Sequence, residues 1–238
     1  MKSHRALVTV FAILCAAGPA AAQDAPAPQI PQIVTRGDAT VRRAPDRAFV
    51  VAAVEARAKA PRDAQRQNAE AMTAVQQRLT AAGVPRDAIR TLGYSLQQEF
   101  DFANGRRTPR DYFARNSIEV RLDDVEKVGE IADLAVQAGA TNIANIRFDL
   151  KDRAGAEREA LRLAVVDARA RAEAAATGAG RAIDRVLRID DSGQNEPPRP
   201  MTYAATMRAS APDQAAPTPI EAGEIEIHAQ VTLTVSIK

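Results

Sequence analysis

The sequence predicts an α+β fold: a largely antiparallel sheet of about seven strands, with three helices on one face and a long Pro-rich arm before the last strand. Three observations carry this expectation. Strand-like alternation and helix-like periodicity take turns along residues 32–192. Two pairs of strands adjoin across short turns, as antiparallel neighbours do. Residues 224–237 then alternate without a break, with Ile225, Ile227, Ala229, Val231, Leu233, Val235 and Ile237 on one side.

A first strand is read at 33–42, and Pro45-Asp46 marks a turn into a second at 47–59. Pro61 opens a helix that runs to about Ala82, because proline suits the first helical turn. Met72, Val75 and Leu79 give it one buried stripe, and Gly83 stops it. Strands at 89–102 and 111–122 flank Asn104-Gly105, a hairpin signal, here within a loop longer than two residues. Asp123-Asp124 caps a helix over 124–138, since carboxylates satisfy free N–H groups at a helix start. Its stripe is Val125, Val128, Ala132 and Val136, and Gly139 follows it. A strand at 142–151 points Ile146, Phe148 and Leu150 inward.

The longest helix is read at 153–177, with a stripe of Ala160, Leu161, Ala164, Val165, Ala168 and Ala172. Alanine lets a helix axis approach its sheet closely and has the best helix propensity. Gly178-Ala179-Gly180 follows a helix rather than a strand, so it reads as a C-cap and not as a phosphate loop. A strand follows at 183–190. Residues 193–222 hold six of the 14 prolines and no periodicity. No linker-like stretch lies near residue 122, so 32–238 reads as one domain.

The N-terminus reads as a secretory signal: Lys2, His4 and Arg5, an apolar run at 6–17, then Ala20-Ala21-Ala22. The run is too short to span ~30 Å of hydrocarbon. Cleavage after Ala22 leaves residues 23–238, with 23–31 as a flexible leader and no transmembrane segment. It also removes Lys2, Arg5, His4 and Cys15. The mature chain then has 30 Lys+Arg against 30 Asp+Glu, no cysteine, and one histidine, His228.

That inventory excludes a thiol nucleophile, a disulfide and a Cys/His zinc centre. A balanced charge argues against nucleic acid as a partner. A Ser-His-acid triad would have to use His228, which sits on the polar face of the last strand beside Glu226. The capping and turn roles of Asp123-Asp124 and Asp190-Asp191 explain those pairs without catalysis, and no cofactor is called for. Glu221, Glu224 and Glu226 read as solvent-exposed groups.

Five of the nine aromatics lie between Tyr94 and Phe113. Core packing and cross-strand pairing are expected for most of them, with the hairpin tip left for contacts. The expected oligomer contacts are Arg106, Arg107 and Arg110 at that tip, and Met201, Tyr203 and Met207 in the arm.

Four segments together resemble the SIMPL (DUF541) family of secreted bacterial proteins. They are Val34-Thr35-Arg36-Gly37-Asp38-Ala39-Thr40-Val41 with Pro45-Asp46-Arg47-Ala48; Phe100-Asp101-Phe102 through Gly105 to Tyr112-Phe113-Ala114-Arg115-Asn116-Ser117; Ala164 through Ala172; and Thr218-Pro219-Ile220-Glu221-Ala222-Gly223-Glu224-Ile225. Asp111-Tyr112 departs from the family's usual Gly-Tyr. The resemblance implies a periplasmic, non-enzymatic protein that assembles as a ring-like homo-oligomer, with an indirect role in envelope or oxidative-stress defence. It brings no catalytic residues. A second reading is a periplasmic hydrolase or ligand-binding protein that uses carboxylates near His228. A third is peripheral envelope association through the leader or the arm.

Overall fold

The computed structural model describes residues 30–103, 105–192 and 218–238. The signal segment, the leader as far as Gln29 and the arm from 193 to 217 lie outside the described residues. Among the described residues the fold is α+β, with seven strands and three α-helices. The strands are β1 (Gln32–Arg43), β2 (Arg47–Ala58), β3 (Ile89–Ala103), β4 (Arg106–Leu122), β5 (Asn142–Asp149), β6 (Ile183–Asp191) and β7 (Ile225–Ile237). The helices are α1 (Pro61–Ala81), α2 (Val128–Gln137) and α3 (Arg153–Gly178).

The seven strands divide between two antiparallel sheets, ordered β1-β7-β6 and β3-β4-β2-β5. Each sheet brings its own helical cover: α3 packs on β1 and β7, whereas α1 packs on β2 and β4 and α2 on β2. The chain leaves the first sheet after β1, completes the second, and returns for α3, β6 and β7.

The alanine stripe of α3 acts as its spacing implies. Ala156, Ala160, Ala164, Ala168, Ala172 and Ala176 recur every fourth residue and are all buried. Gly37 on β1 lies against the helix backbone itself. A Cβ there would come 2.7 Å from Ala168 Cβ and closer still to Ala164 O and Ala168 N. Thr35 Oγ1 donates to Ala168 O at 2.8 Å across the same seam. The helix ends as its glycines suggest, with Gly180 at φ +68° and Arg181 N donating to Ala176 O at 2.8 Å.

The second sheet builds the larger core. Val50, Ala52 and Val54 of β2 and Ile118 and Val120 of β4 meet Met72, Val75 and Leu79 of α1 and Val128 and Ile131 of α2. One polar side chain crosses it. Asn68 on α1 is fully buried and donates Nδ2 to Val54 O at 2.7 Å and to Ala114 O at 3.2 Å. Those two bonds tie the helix to the backbones of both central strands.

Two boundaries differ from the sequence-based expectation. The first turn after Asp124 is a 3-10 turn, Val125–Lys127, so α2 proper starts at Val128. Asp124 still serves as cap, accepting from Glu126 N at 3.2 Å. The β3–β4 hairpin is also longer and tighter than expected. Ala103 pairs with Arg106, so the connection is only two residues, with Gly105 at φ +73°.

Candidate functional site

The second sheet ends in an uncovered strand. Among the described residues β3 pairs only with β4, and it is exposed on both faces from Arg90 to Gln97. Leu92, Tyr94 and Leu96 are 47%, 49% and 37% exposed. Tyr94 and Leu96 stand opposite Asn116 and Ala114, on the side of the sheet where Asn68 of α1 binds. α1 packs mainly on β2 and β4 and meets β3 less closely, which leaves these side chains partly open.

The expected core packing of the aromatics is therefore corrected. Phe102 is 78% exposed, Tyr94 is half exposed, and Phe100, Tyr112 and Phe113 are only partly buried. Aliphatic side chains fill the core instead. The aromatics stack with arginines: Arg57 lies 4.4 Å from the Phe113 ring centroid, and Arg107 lies 3.5 Å from that of Phe100.

The expected contact residues at the tip sit where β3 and β4 have outrun the sheet. β2 pairs with β4 only as far as Tyr112. The two-stranded ribbon continues six residues to Arg106, ~20 Å at strand rise. Arg110 is held by Asp101 at 3.3 Å. Arg106 and Arg107 have no acidic partner among the described residues. A polar concavity of about 430 Å³ lies at the ribbon's base, lined by Arg57, Glu99, Phe100, Asp101, Arg110 and Asp111. Met201, Tyr203 and Met207 lie outside the described residues.

The first sheet also has an uncovered edge. Among the described residues β6 pairs only with β7, and Val186, Leu187 and Ile189 are 48%, 38% and 50% exposed. Both edge strands carry two register shifts against their neighbours. Such bulges limit the length over which another strand could add to the ladder.

His228 lies on the open face of the first sheet, its side chain 65% exposed. Nδ1 is 2.8 Å from Thr40 Oγ1, and Nε2 is 3.5 Å from Glu226 Oε2. Glu226 is also bound by Arg42 Nε at 2.8 Å. The order hydroxyl, imidazole, carboxylate is that of a triad. Thr40 and His228 are both exposed, so water reaches the hydroxyl freely.

Sequence reasoning missed a third feature. Thr218-Pro219-Ile220, at the end of the arm, docks on α2. Thr218 N and Oγ1 donate to the two oxygens of Asp133, at 3.0 and 2.7 Å. These bonds, the hydroxyl's first, hold the Asp133 carboxyl below its usual pKa. Gly129 lets Thr218 approach, since a Cβ there would strike the Thr218 carbonyl. Ile220 packs on the larger core, and β7 then begins in the other sheet. The strap thus joins the two layers. Nearby, Asp123 accepts from Arg47 Nε at 3.1 Å and is likewise held low, with Lys151 adding charge.

Comparison with known proteins fits this fold. The family profile "Protein of unknown function (DUF541)", SIMPL, matches residues 33–235. The chain is 29% identical to the "26 kDa periplasmic immunogenic protein" of Brucella melitensis over 216 residues, covering 87% of this chain and 85% of that protein. It matches the Brucella abortus protein of that name equally. It is 26% identical to "Uncharacterized protein YggE" of Escherichia coli K12 over 231 residues, covering 97% and 93% of the two chains. With the profile spanning both sheets and all three helices, the chain belongs to the SIMPL family.

Proposed function

We propose that this chain is a non-catalytic periplasmic assembly module that acts as a homo-oligomer, with an indirect role in envelope or oxidative-stress defence. The signal-like N-terminus and the periplasmic names of the Brucella relatives support the compartment. One observation carries the self-association: the uncovered β3 edge with its exposed row Leu92, Tyr94 and Leu96. An apolar row of that kind beside a free ladder edge is a contact surface. The β6 edge supplies a second, different apolar surface on the same chain. Two unlike surfaces suit head-to-tail contacts, which close into rings when the rotation allows.

Light scattering after size-exclusion chromatography tests this on the secreted chain and on a Tyr94→Lys/Leu96→Lys variant. The expected result is a multimeric parent and a variant of lower mass with an unchanged circular dichroism spectrum. A variant with the parent's mass would remove β3 from the contact.

A further inference from the structure

The projecting end of the β3–β4 ribbon differs in chemistry from the β3 edge beneath it. Direct pairs Phe100–Pro109 and Phe102–Arg107 put both phenylalanines, Arg107 and Pro109 on one face. Arg107 covers the Phe100 ring at 3.5 Å and lies 6.0 Å from that of Phe102. The other face carries Asp101, paired with Arg110 at 3.3 Å. Asp101 is the only carboxylate between Phe100 and Arg110, against three arginines. The segment is thus net positive in a mature chain whose charges balance. Every described residue from Asp101 to Arg110 is exposed.

We infer that this tip docks on an anionic phospholipid surface, with Phe102 and Phe100 entering the interface and Arg106 and Arg107 meeting phosphate groups. The inference is independent of the self-association proposed above. Area argues against a second copy as the occupant. Two phenylalanines offer ~300–500 Å², well short of the ~800 Å² that each partner buries in a stable protein interface. A lipid surface needs no matching shape. It accepts a small apolar wedge flanked by cations, because the hydrocarbon boundary takes the rings while the arginines stay at the headgroups. The ~20 Å reach of the ribbon carries Phe102, Arg106 and Arg107 beyond the four-stranded part of the sheet, with Asp101 neutralised by Arg110 on the opposite face.

The chain has no tryptophan, so Phe102→Trp in the full secreted chain gives a single fluorophore at the tip. Vesicles of equal parts phosphatidylglycerol and phosphatidylcholine should shift its emission to the blue and shield it from acrylamide. Vesicles of phosphatidylcholine alone and free inorganic phosphate should not. Added salt should reverse the shift, since screening weakens the arginine term. Adding Arg106→Glu/Arg107→Glu should weaken vesicle binding by about tenfold or more. Co-sedimentation of a Phe102→Ser variant, matched to the parent by circular dichroism, gives a second readout and should show loss of binding. An emission unmoved by the anionic vesicles, or moved equally by phosphatidylcholine alone, would overturn the inference. So would an emission already blue without lipid that turns red on dilution, because a second copy would then cover the tip.

Discussion

Gly37→Ala probes the closest approach in the fold. The added methyl would stand 2.7 Å from Ala168 Cβ, with Ala164 O and Ala168 N nearer still. Ordinary carbon contacts are ~3.5–4.0 Å, so a gap of about 1 Å has to open. The obstructing atoms are mostly helix backbone and cannot rotate aside. Either β1 bends or α3 lifts along its stripe, which loosens Ala164, Ala168 and Ala172 from Val231, Leu233 and Val235. Overpacking of this kind costs ~1–3 kcal/mol. Restricting the unfolded chain returns ~0.4–1 kcal/mol. The net expectation is a loss of ~1.3 kcal/mol, or ~3–5 °C in Tm for a domain of this size. Urea unfolding monitored by circular dichroism measures it. Gly93→Ala is the control, because its only near neighbour is Ser117 Oγ at 4.0 Å, and its stability should change by less than ~0.5 kcal/mol. A Gly37→Ala protein as stable as that control would refute the close-packed seam.

Three further outcomes are expected. Asn68→Ala strips the donor from the carbonyls of Val54 and Ala114 and should cost ~2–4 kcal/mol in urea unfolding; a loss below ~0.5 kcal/mol would mean that the two bonds hold nothing. The Asp133 carboxyl is held below its usual 3.8, so its hold on Thr218 is full above that pH and is lost as pH falls through the lowered value. The Thr218 amide resonance should therefore move only in that acidic window, and in Asp133→Asn the titration should vanish. Gly129→Ala should free the strap while sparing the core, seen as faster amide exchange over Thr218–Ala222 with little change in Tm.

Periodicity made most of the fold legible. The alternation in β7 and the four-residue alanine spacing in α3 gave their buried faces directly, because burial there follows from one neighbour on one side. Asp124 and Gly180 were readable for the same local reason: capping depends on adjacent backbone. The aromatics misled because a strand pattern reports that a face is apolar, not whether any helix is wide enough to cover it. Leu92, Tyr94 and Leu96 alternate as a buried face would, yet stand on the edge strand that α1 covers least and are left half exposed. The division into two sheets was hidden too, since it depends on which helix each strand meets. The Asp133–Thr218 strap joins residues 85 apart in sequence, and no local pattern announces such a pair. For His228, the polar face was legible and its partner Thr40 on β1 was not, because register between distant strands decides it.

The most direct test is the mass of residues 23–238 by light scattering at tens of micromolar (a concentration at which functional oligomers persist). The proposed assembly role predicts a discrete multiple of the monomer that falls when Tyr94 and Leu96 become lysine. A monomer under those conditions would contradict it.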